Sequence, residues 1–315
     1  MSSTFWSRIP GLGAELEALE ALLEREFAGT GFLQASTAKL VTGGGKRLRP
    51  ALVIASAKLG QYERGKALPV AAALEALHTA TLVHDDVIDG AETRRGMPTL
   101  HGSLGNHVAI YAGDYILAKA VLLISSSDLP NNELKRMAQA ISAMCVGEVA
   151  QYIGRGRVPG YREYLKRIMG KTGILFAAAC AAGGRSGGLD DRAIMLLWRF
   201  GMRLGAAFQI RDDILDMEGA DGKPSGRDLA DGIVTLPILL AAANEDFRRA
   251  LDIFFRDGMP EGKAPVLLDA ARSLGAIDKT RQVLEEEVGK GLKILTDLPD
   301  GEGREMLRSI ACAIC

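Results

Sequence analysis

The chain reads as an all-α protein folded as a single domain, and three observations lead there. Apolar residues recur at three- and four-residue spacing along most of its length, no useful stretch alternates with the two-residue period of a strand, and glycine or proline punctuates the breaks. No Gly/Ser linker or shift of composition marks a boundary, so residues 1–315 are expected to form one domain. With 48% of 315 residues hydrophobic, there is ample material for a core. A formal net charge of −1 removes the electrostatic case for a nucleic-acid partner. Cysteines at 145, 180, 312 and 315 make a poor disulfide framework and fit a reducing, cytoplasmic setting. Cys312 and Cys315 form a C-x-x-C, but the second half of a metal site is missing, so both read as ordinary helix-end residues. The opening Met1-Ser2-Ser3-Thr4-Phe5-Trp6 lacks the pattern of a secretion signal, and the apolar runs at 173–182 and 233–243 fall short of the roughly 20 residues of a membrane span. No transmembrane segment is therefore expected.

Residues 14–27 place Leu16, Leu19, Leu23 and Phe27 on one side, with Glu15, Glu17, Glu20, Glu24 and Glu26 mostly elsewhere, the spacing of an amphipathic helix. Gly43-Gly44-Gly45-Lys46-Arg47-Leu48-Arg49-Pro50 follows, and Pro50 is expected to open a helix to about Leu59. A flexible, cationic approach to a helix N-terminus suits a phosphate group, although by itself a basic surface loop explains it equally well. From Leu68-Pro69 a helix is expected to carry His78, then the small residues Ala71, Ala72, Ala73, Ala76, Thr79, Ala80 and Thr81, into Leu82-Val83-His84-Asp85-Asp86-Val87-Ile88-Asp89. Small residues usually mean close helix packing; directly upstream of a polar site they can instead line a channel.

Asp85 and Asp89 are four residues apart on one helix face, so both can reach the same cation. Folding does not ask for this, because like charges at that spacing weaken a helix and a partly buried acidic cluster is costly without counter-charge. A solvated helix end is the bland explanation for such a cluster standing alone. Arg94 and Arg95 lie just beyond it.

After the break at Gly96-Met97-Pro98, residues 104–125 read as a long buried helix, followed by a loop over 126–132. Further helices are expected over 133–153 and 161–182, the second with Lys171-Thr172 inside an apolar run. A lysine there either snorkels to the surface or meets an anion. A continuous pattern over 190–217 ends in Asp212-Asp213-Ile214-Leu215-Asp216, repeating the acidic and branched order of the first motif, with Gln209 on the same face. A polar loop over 219–228 is centred on Lys223, and short amphipathic helices complete the chain.

Two acidic clusters and the cations Lys46, Arg47, Arg49, Arg94, Arg95, Lys171 and Lys223 remain unexplained by packing. Both signs are needed when a highly charged anion is held through a divalent metal: carboxylates hold Mg²⁺, Mg²⁺ bridges phosphate oxygens, and lysine or arginine takes the remaining charge. Glu-x-x-His pairs of a di-iron bundle and a P-loop are both absent.

These residues resemble the trans-type polyprenyl diphosphate synthases. The resemblance rests on Gly44-Gly45-Lys46-Arg47-Leu48-Arg49-Pro50, His84 to Asp89 with Arg94-Arg95-Gly96, Gly113-Asp114-Tyr115, Lys171-Thr172, and Phe208 to Asp216 followed by Gly222-Lys223-Pro224, in the family's order over about residues 40–240. It implies a single-domain isoprenoid-synthase helical bundle around a deep central cavity, with residues 241–315 in the same domain, usually as a homodimer. It also implies condensation of an allylic diphosphate with isopentenyl diphosphate, head to tail, to give a linear polyprenyl diphosphate.

By carry-over Asp85, Asp89, Asp212 and Asp216 bind Mg²⁺, about three ions with substrate bound. Arg94, Lys171, Thr172, Gln209 and Lys223 contact the allylic diphosphate, and Lys46, Arg49, His78 and Arg95 hold isopentenyl diphosphate. The product would be released toward a membrane by an enzyme that has no span of its own.

One departure stands out, since Ile233 occupies the place of a second family lysine. For product length, Ala80 lies five positions before the first aspartate, with Ala76 and Thr81 beside it, where a bulky residue would block the growing tail. From Asp85 back to Ala73 is about 18 Å of helix, so Leu117, Val121 or Leu122 could still form a floor. A long-chain product of octaprenyl type is expected, with a farnesyl or geranylgeranyl synthase as the alternative. Three other readings are open: a non-catalytic partner subunit of a heteromeric synthase, disfavoured by two complete Asp motifs; a helical-repeat scaffold, disfavoured by the lack of a fixed period; and a terpene cyclase, which would not need Lys46 and Arg49.

Overall fold

The computed structural model describes residues 6, 9–94, 96–219 and 225–314. It is 76% helical, which settles the all-α class. The chain divides into two compact units, one built from 1–136, 179–197 and 298–310, the other from 137–178, 198–297 and 311–315.

The first unit holds α1 (Leu12–Phe27), α2 (Phe32–Thr42), α3 (Leu48–Ala57), α4 (Arg64–Ile88), a small hairpin of β1 (Thr93–Arg94) and β2 (Met97–Pro98), and α5 (Leu100–Ser125). The expected face of α1 is buried. Glu15 departs from expectation: it too is buried, because Tyr62 Oη and the Arg64 guanidinium donate to its carboxylate. Every residue of α3 but Arg49 is buried, as a helix apolar on all sides must be. Its neighbour from residues 179–186 approaches so closely that a Cβ on Gly183 would overlap the Val53 carbonyl. Helix α4 starts a turn earlier than Leu68-Pro69, leaving Pro69 inside it. Packed along α4, α5 is capped by Thr99 Oγ1 on the Gly102 amide and kinks at Gly105. Only one side of α5 meets the buried expectation: Ala109, Ala112, Ile116 and Ala120 are buried, whereas Leu104, Ile110, Tyr111, Val121 and Leu122 are exposed. By length and composition alone, α5 could cross a membrane, a test that core helices of soluble proteins also pass.

The chain enters the second unit within α6 (Asn131–Ile153). There follow α7 (Tyr161–Ile168), a π-helical turn (Met169–Gly173), α8 (Ile174–Ser186), α9 (Asp191–Glu218), α10 (Arg227–Ala230), α11 (Leu236–Ala241), α12 (Glu245–Arg256), α13 (Lys263–Ser273), α14 (Ala276–Leu295) and α15 (Glu302–Cys312). Of these, α8 from Ala179 onward, α9 up to Leu197 and α15 up to Ile310 belong to the first unit. The single helix expected over 161–182 is thus interrupted at Lys171-Thr172, and part of the expected polar loop closes as α10. Met217, Leu229, Val234, Ile238, Phe247, Leu251, Phe254 and Leu268 form the second unit's core, each burial contributing about 1.5–3 kcal/mol before entropy is charged.

Two glycines in helices should respond oppositely to substitution. Gly183→Val forces a side chain onto the Val53 carbonyl and should lower stability by about 1–3 kcal/mol or more. Gly289→Ala, on an exposed face of α14 with nothing nearby, should be neutral or stabilising by up to about 1 kcal/mol. Urea denaturation of the two variants beside wild type checks both signs.

Candidate active site

In the first unit, the glycine-rich loop takes its shape from the backbone. Gly44 and Gly45 have φ of 88° and 151°, and Arg47 has φ 46°, a basin that costs a side-chain-bearing residue about 1–3 kcal/mol. What holds Arg47 there is its guanidinium, which is buried. Nε and Nη2 donate to the Glu20 carboxylate at 2.6 and 2.9 Å, Nη1 to Glu75 Oε1 at 2.9 Å, and Nη2 also to the Val41 carbonyl at 2.8 Å. Burial works against the charge, but Glu20 and Glu75 outweigh it and raise the pKa above the usual arginine value. Arg47 is therefore not the third phosphate-facing cation that its place in the run suggests. Lys46, by contrast, is exposed and Arg49 half-buried at the start of α3.

On α4, His78 is half-buried and its carbonyl accepts from Thr81 Oγ1 at 2.8 Å. The Asp89 amide donates to the Asp85 carbonyl at 2.8 Å, so the two aspartates stand one turn apart at the helix end, as their spacing predicts. Asp86 is buried between them in sequence and accepts from Arg94 Nε at 2.7 Å, which fixes the arginine of β1 against the motif. Gly113 on α5 is explained by His84, whose ring occupies the space a Cβ would need. Ala76 and Ala80 are fully buried, while Thr81 is half-buried. Val121 and Leu122 are exposed and form no floor within this chain.

The second unit gathers Lys171, Thr172, Gln209 and the second Asp motif. Lys171 and Thr172 lie in the π-helical turn, a local widening that often re-aims side chains at functional sites. Thr172 Oγ1 donates to Gln209 Oε1 at 2.8 Å, Gln209 Nε2 to Asp213 Oδ1 at 3.1 Å, and Lys171 Nζ pairs with Glu148 at 3.0 Å. Asp213 is buried and also accepts from Tyr164 Oη at 2.7 Å and from the Leu236 amide at 3.0 Å. Burial raises its pKa against the pull of these donors.

Asp212 and Asp216 are half-buried. Asp216 is pushed up to about 6 by burial and then by Asp228, against backbone hydrogen bonds from residues 227 and 228. Asp228 is itself raised to about 6 by burial and by Asp213, with Lys171 and Arg167 pulling the other way. Arg167 also donates to the Val234 carbonyl at 2.6 Å.

Arg95, Lys223 and Cys315 lie outside the described residues. Cys312 is exposed on α15 and unpaired with another cysteine. Sequence reasoning did not single out Tyr164, Arg167, Asp228 or Glu148; no motif flags them, and they emerge only from what surrounds Asp213 and Lys171. Among the described residues no three His, Cys, Asp or Glu side chains form a ready-made cage. One or two carboxylates per motif nonetheless fit Mg²⁺, which takes its other ligands from phosphate oxygens and water. The crowding of Asp213, Asp216 and Asp228 is charge that a divalent cation would relieve.

Residues 31–264 match the model of the family described as polyprenyl synthetase. The chain is 37% identical over 307 residues to heptaprenyl diphosphate synthase component 2 of Geobacillus stearothermophilus, covering 96% of this chain and 94% of that protein. It is 35% identical over 281 residues to octaprenyl diphosphate synthase of Escherichia coli, covering 86% of each. Among solved structures, the heptaprenyl diphosphate synthase of Staphylococcus aureus superposes with a TM-score of 0.92 at 31% identity, over 97% of this chain and 98% of that one. With its motifs in order, its all-α fold and these similarities, the chain belongs to the polyprenyl synthetase family and is a prenyltransferase.

Proposed function

We propose that the chain is a Mg²⁺-dependent synthase that extends an allylic diphosphate with isopentenyl diphosphate to a long-chain, linear trans-polyprenyl diphosphate, working as one catalytic domain in the cytoplasm. The observation that carries this reading is the shared construction of its two Asp motifs. In each, the middle aspartate, Asp86 or Asp213, is buried and bonded to the protein, while Asp85 and Asp212 remain half-buried at the site. Asp85, Asp89, Asp212 and Asp216 are the proposed Mg²⁺ ligands. Arg94, Lys171, Thr172, Gln209 and Lys223 are assigned to the allylic diphosphate, and Lys46, Arg49, His78 and Arg95 to isopentenyl diphosphate.

Bound Mg²⁺ would supply charge neutralisation to the departing diphosphate. Lys171 and Arg94 add fixed positive charge on the same group, so that the allylic C–O bond ionises to a cation in a site kept from water. Gln209 and Thr172 hold each other in place by their hydrogen bond, and Gln209 offers its second amide N–H. Lys46, Arg49 and His78 orient isopentenyl diphosphate so that its double bond attacks the cation, and a proton then leaves, to the diphosphate. No protein nucleophile takes part, and buried Cys180, its thiol raised to about 12 by burial, needs no role.

A long chain of octaprenyl type is proposed from the small residues at Ala76, Ala80 and Thr81, which raise no bulky barrier next to the first aspartates. The exposed apolar side of α5 supports an assembly of chains, a homodimer in the first instance. A second reading is favoured by the Geobacillus relative, whose name makes it one component of its synthase: this chain would then need a dissimilar partner.

Assayed alone with Mg²⁺, the purified chain should turn over, and Asp85→Ala or Asp212→Ala should each cut the rate by about a thousandfold without loss of helical circular dichroism. Retained turnover in both variants would sink the assignment, and an inactive but folded wild type would favour the two-component reading.

Ala80→Phe should shorten the product seen by reversed-phase chromatography. Because Ala80 is buried, its thermal midpoint is measured in parallel, and an unchanged chain length in a folded variant refutes the open-path argument.

The pH dependence has a fixed sign. Asp216 and Asp228 have folded pKa values near 6, above the ordinary 3.8, so the stability they allow is present at low pH and lost as pH rises through about 6. Metal-free melts of Asp228→Asn should lack part of that loss, and Mg²⁺ should raise the wild-type midpoint more at pH 7.5 than at pH 5, since protons and metal compete for the same carboxylates.

A further inference from the structure

We propose that Arg47 is a positioning residue for isopentenyl diphosphate, its buried guanidinium tying the glycine loop that presents Lys46 and Arg49 to the helix that carries His78. This rests on the assignment of those three residues to isopentenyl diphosphate made above. Gly43, Gly44 and Gly45 have no side chains to pack, and two of them lie at positive φ. The backbone of Lys46 is fixed instead from both sides. Trp6, itself buried, donates from its indole to the Lys46 carbonyl, and the next residue is Arg47.

Arg47 joins three elements at once: Glu20 on α1 through a two-pronged contact, Glu75 on α4, and the Val41 carbonyl at the end of α2. Glu75 is buried and stands three residues before His78, on the same side of α4. One guanidinium therefore sets the distance between the two ends of a single phosphate site. Its charge is taken up by two carboxylates, so it is not available to the ligand. Buried ion pairs of this kind stabilise no more than apolar packing of the same volume would; what they specify is geometry, and at a site for a charged substrate geometry governs affinity.

The test uses the whole chain with Mg²⁺ and measures KM for isopentenyl diphosphate and for the allylic diphosphate separately. Arg47→Lys, which keeps the charge but loses the fork, should raise the isopentenyl KM by about ten- to hundredfold and leave the allylic KM near wild type. Arg47→Met alone leaves Glu75 buried without a partner and is expected to unfold readily, so the double variant Arg47→Met with Glu75→Gln removes both charges. With its thermal midpoint restored, that variant should still show the raised isopentenyl KM. A wild-type isopentenyl KM in the restored double variant, or equal rises in both KM values, would overturn the inference and leave Arg47 a structural residue. Lys46→Ala and Arg49→Ala separate the two levels: if they raise the isopentenyl KM and the Arg47 variants do not, this inference alone fails. If they do not raise it either, the site assignment fails and this inference with it.

Discussion

A carboxylate withdrawn from water must be met by donors, and the arrangement around Asp213 follows from that requirement. Its two oxygens accept from a tyrosine hydroxyl, a backbone amide and a glutamine side chain. Each donor comes from a different element: Tyr164 from α7, Leu236 from the start of α11, Gln209 from one turn earlier on α9. Losing any one of them would leave the buried carboxylate a donor short, at a cost of about 1.5–3 kcal/mol. The second unit is thereby pinned at the point where its proposed chemistry lies. Gln209, in turn, fixes the Thr172 hydroxyl, so the π-helical turn carrying Lys171 is tied to the same carboxylate through one intermediary.

The same device recurs in the first unit with the signs arranged differently. Asp86 meets Arg94, and Arg47 meets Glu20 and Glu75. In each case one charged residue of a dense motif is turned inward to hold the backbone, and the other charged residues of the motif are the ones left with surface. A motif with three aspartates or three cations thus divides between structure and chemistry, because the helix presents adjacent residues to different sides.

That division explains what the sequence reveals and what it withholds. Helix positions were legible because apolar spacing is local, and both Asp motifs were legible because acidic residues at four-residue spacing have no packing reason to exist. The inward turn of Arg47 was not, since its partners lie 27 and 28 residues away and nothing in the local run distinguishes it from Lys46 or Arg49. Asp228 was hidden for the same reason: its raised pKa comes from burial and from Asp213, fifteen positions back on another helix. The π-helical turn escaped because one extra residue in a helix leaves the apolar period nearly unchanged over so short a span. Gly113 was noticed as part of a motif, but only the His84 ring beside it shows why a side chain is not tolerated.

Ile233 illustrates how a lost side chain can leave the role of its segment intact. The segment from Asp231 to Pro237 is held by its backbone: the Ile233 amide donates to the Asp228 carbonyl at 2.7 Å, and Arg167 donates to the Val234 carbonyl at 2.6 Å. From there the Leu236 amide reaches Asp213. None of these bonds uses the side chain at position 233, so an apolar residue there does not disturb the support of the second motif. The positive charge that a lysine would have brought is not wholly missing either, since Arg167 and Lys171 both act on Asp228. Both pull on Asp228 from neighbouring turns, yet burial and Asp213 outweigh them, so with an uncharged Ile233 the excess of carboxylate on this side is left for a divalent cation to relieve.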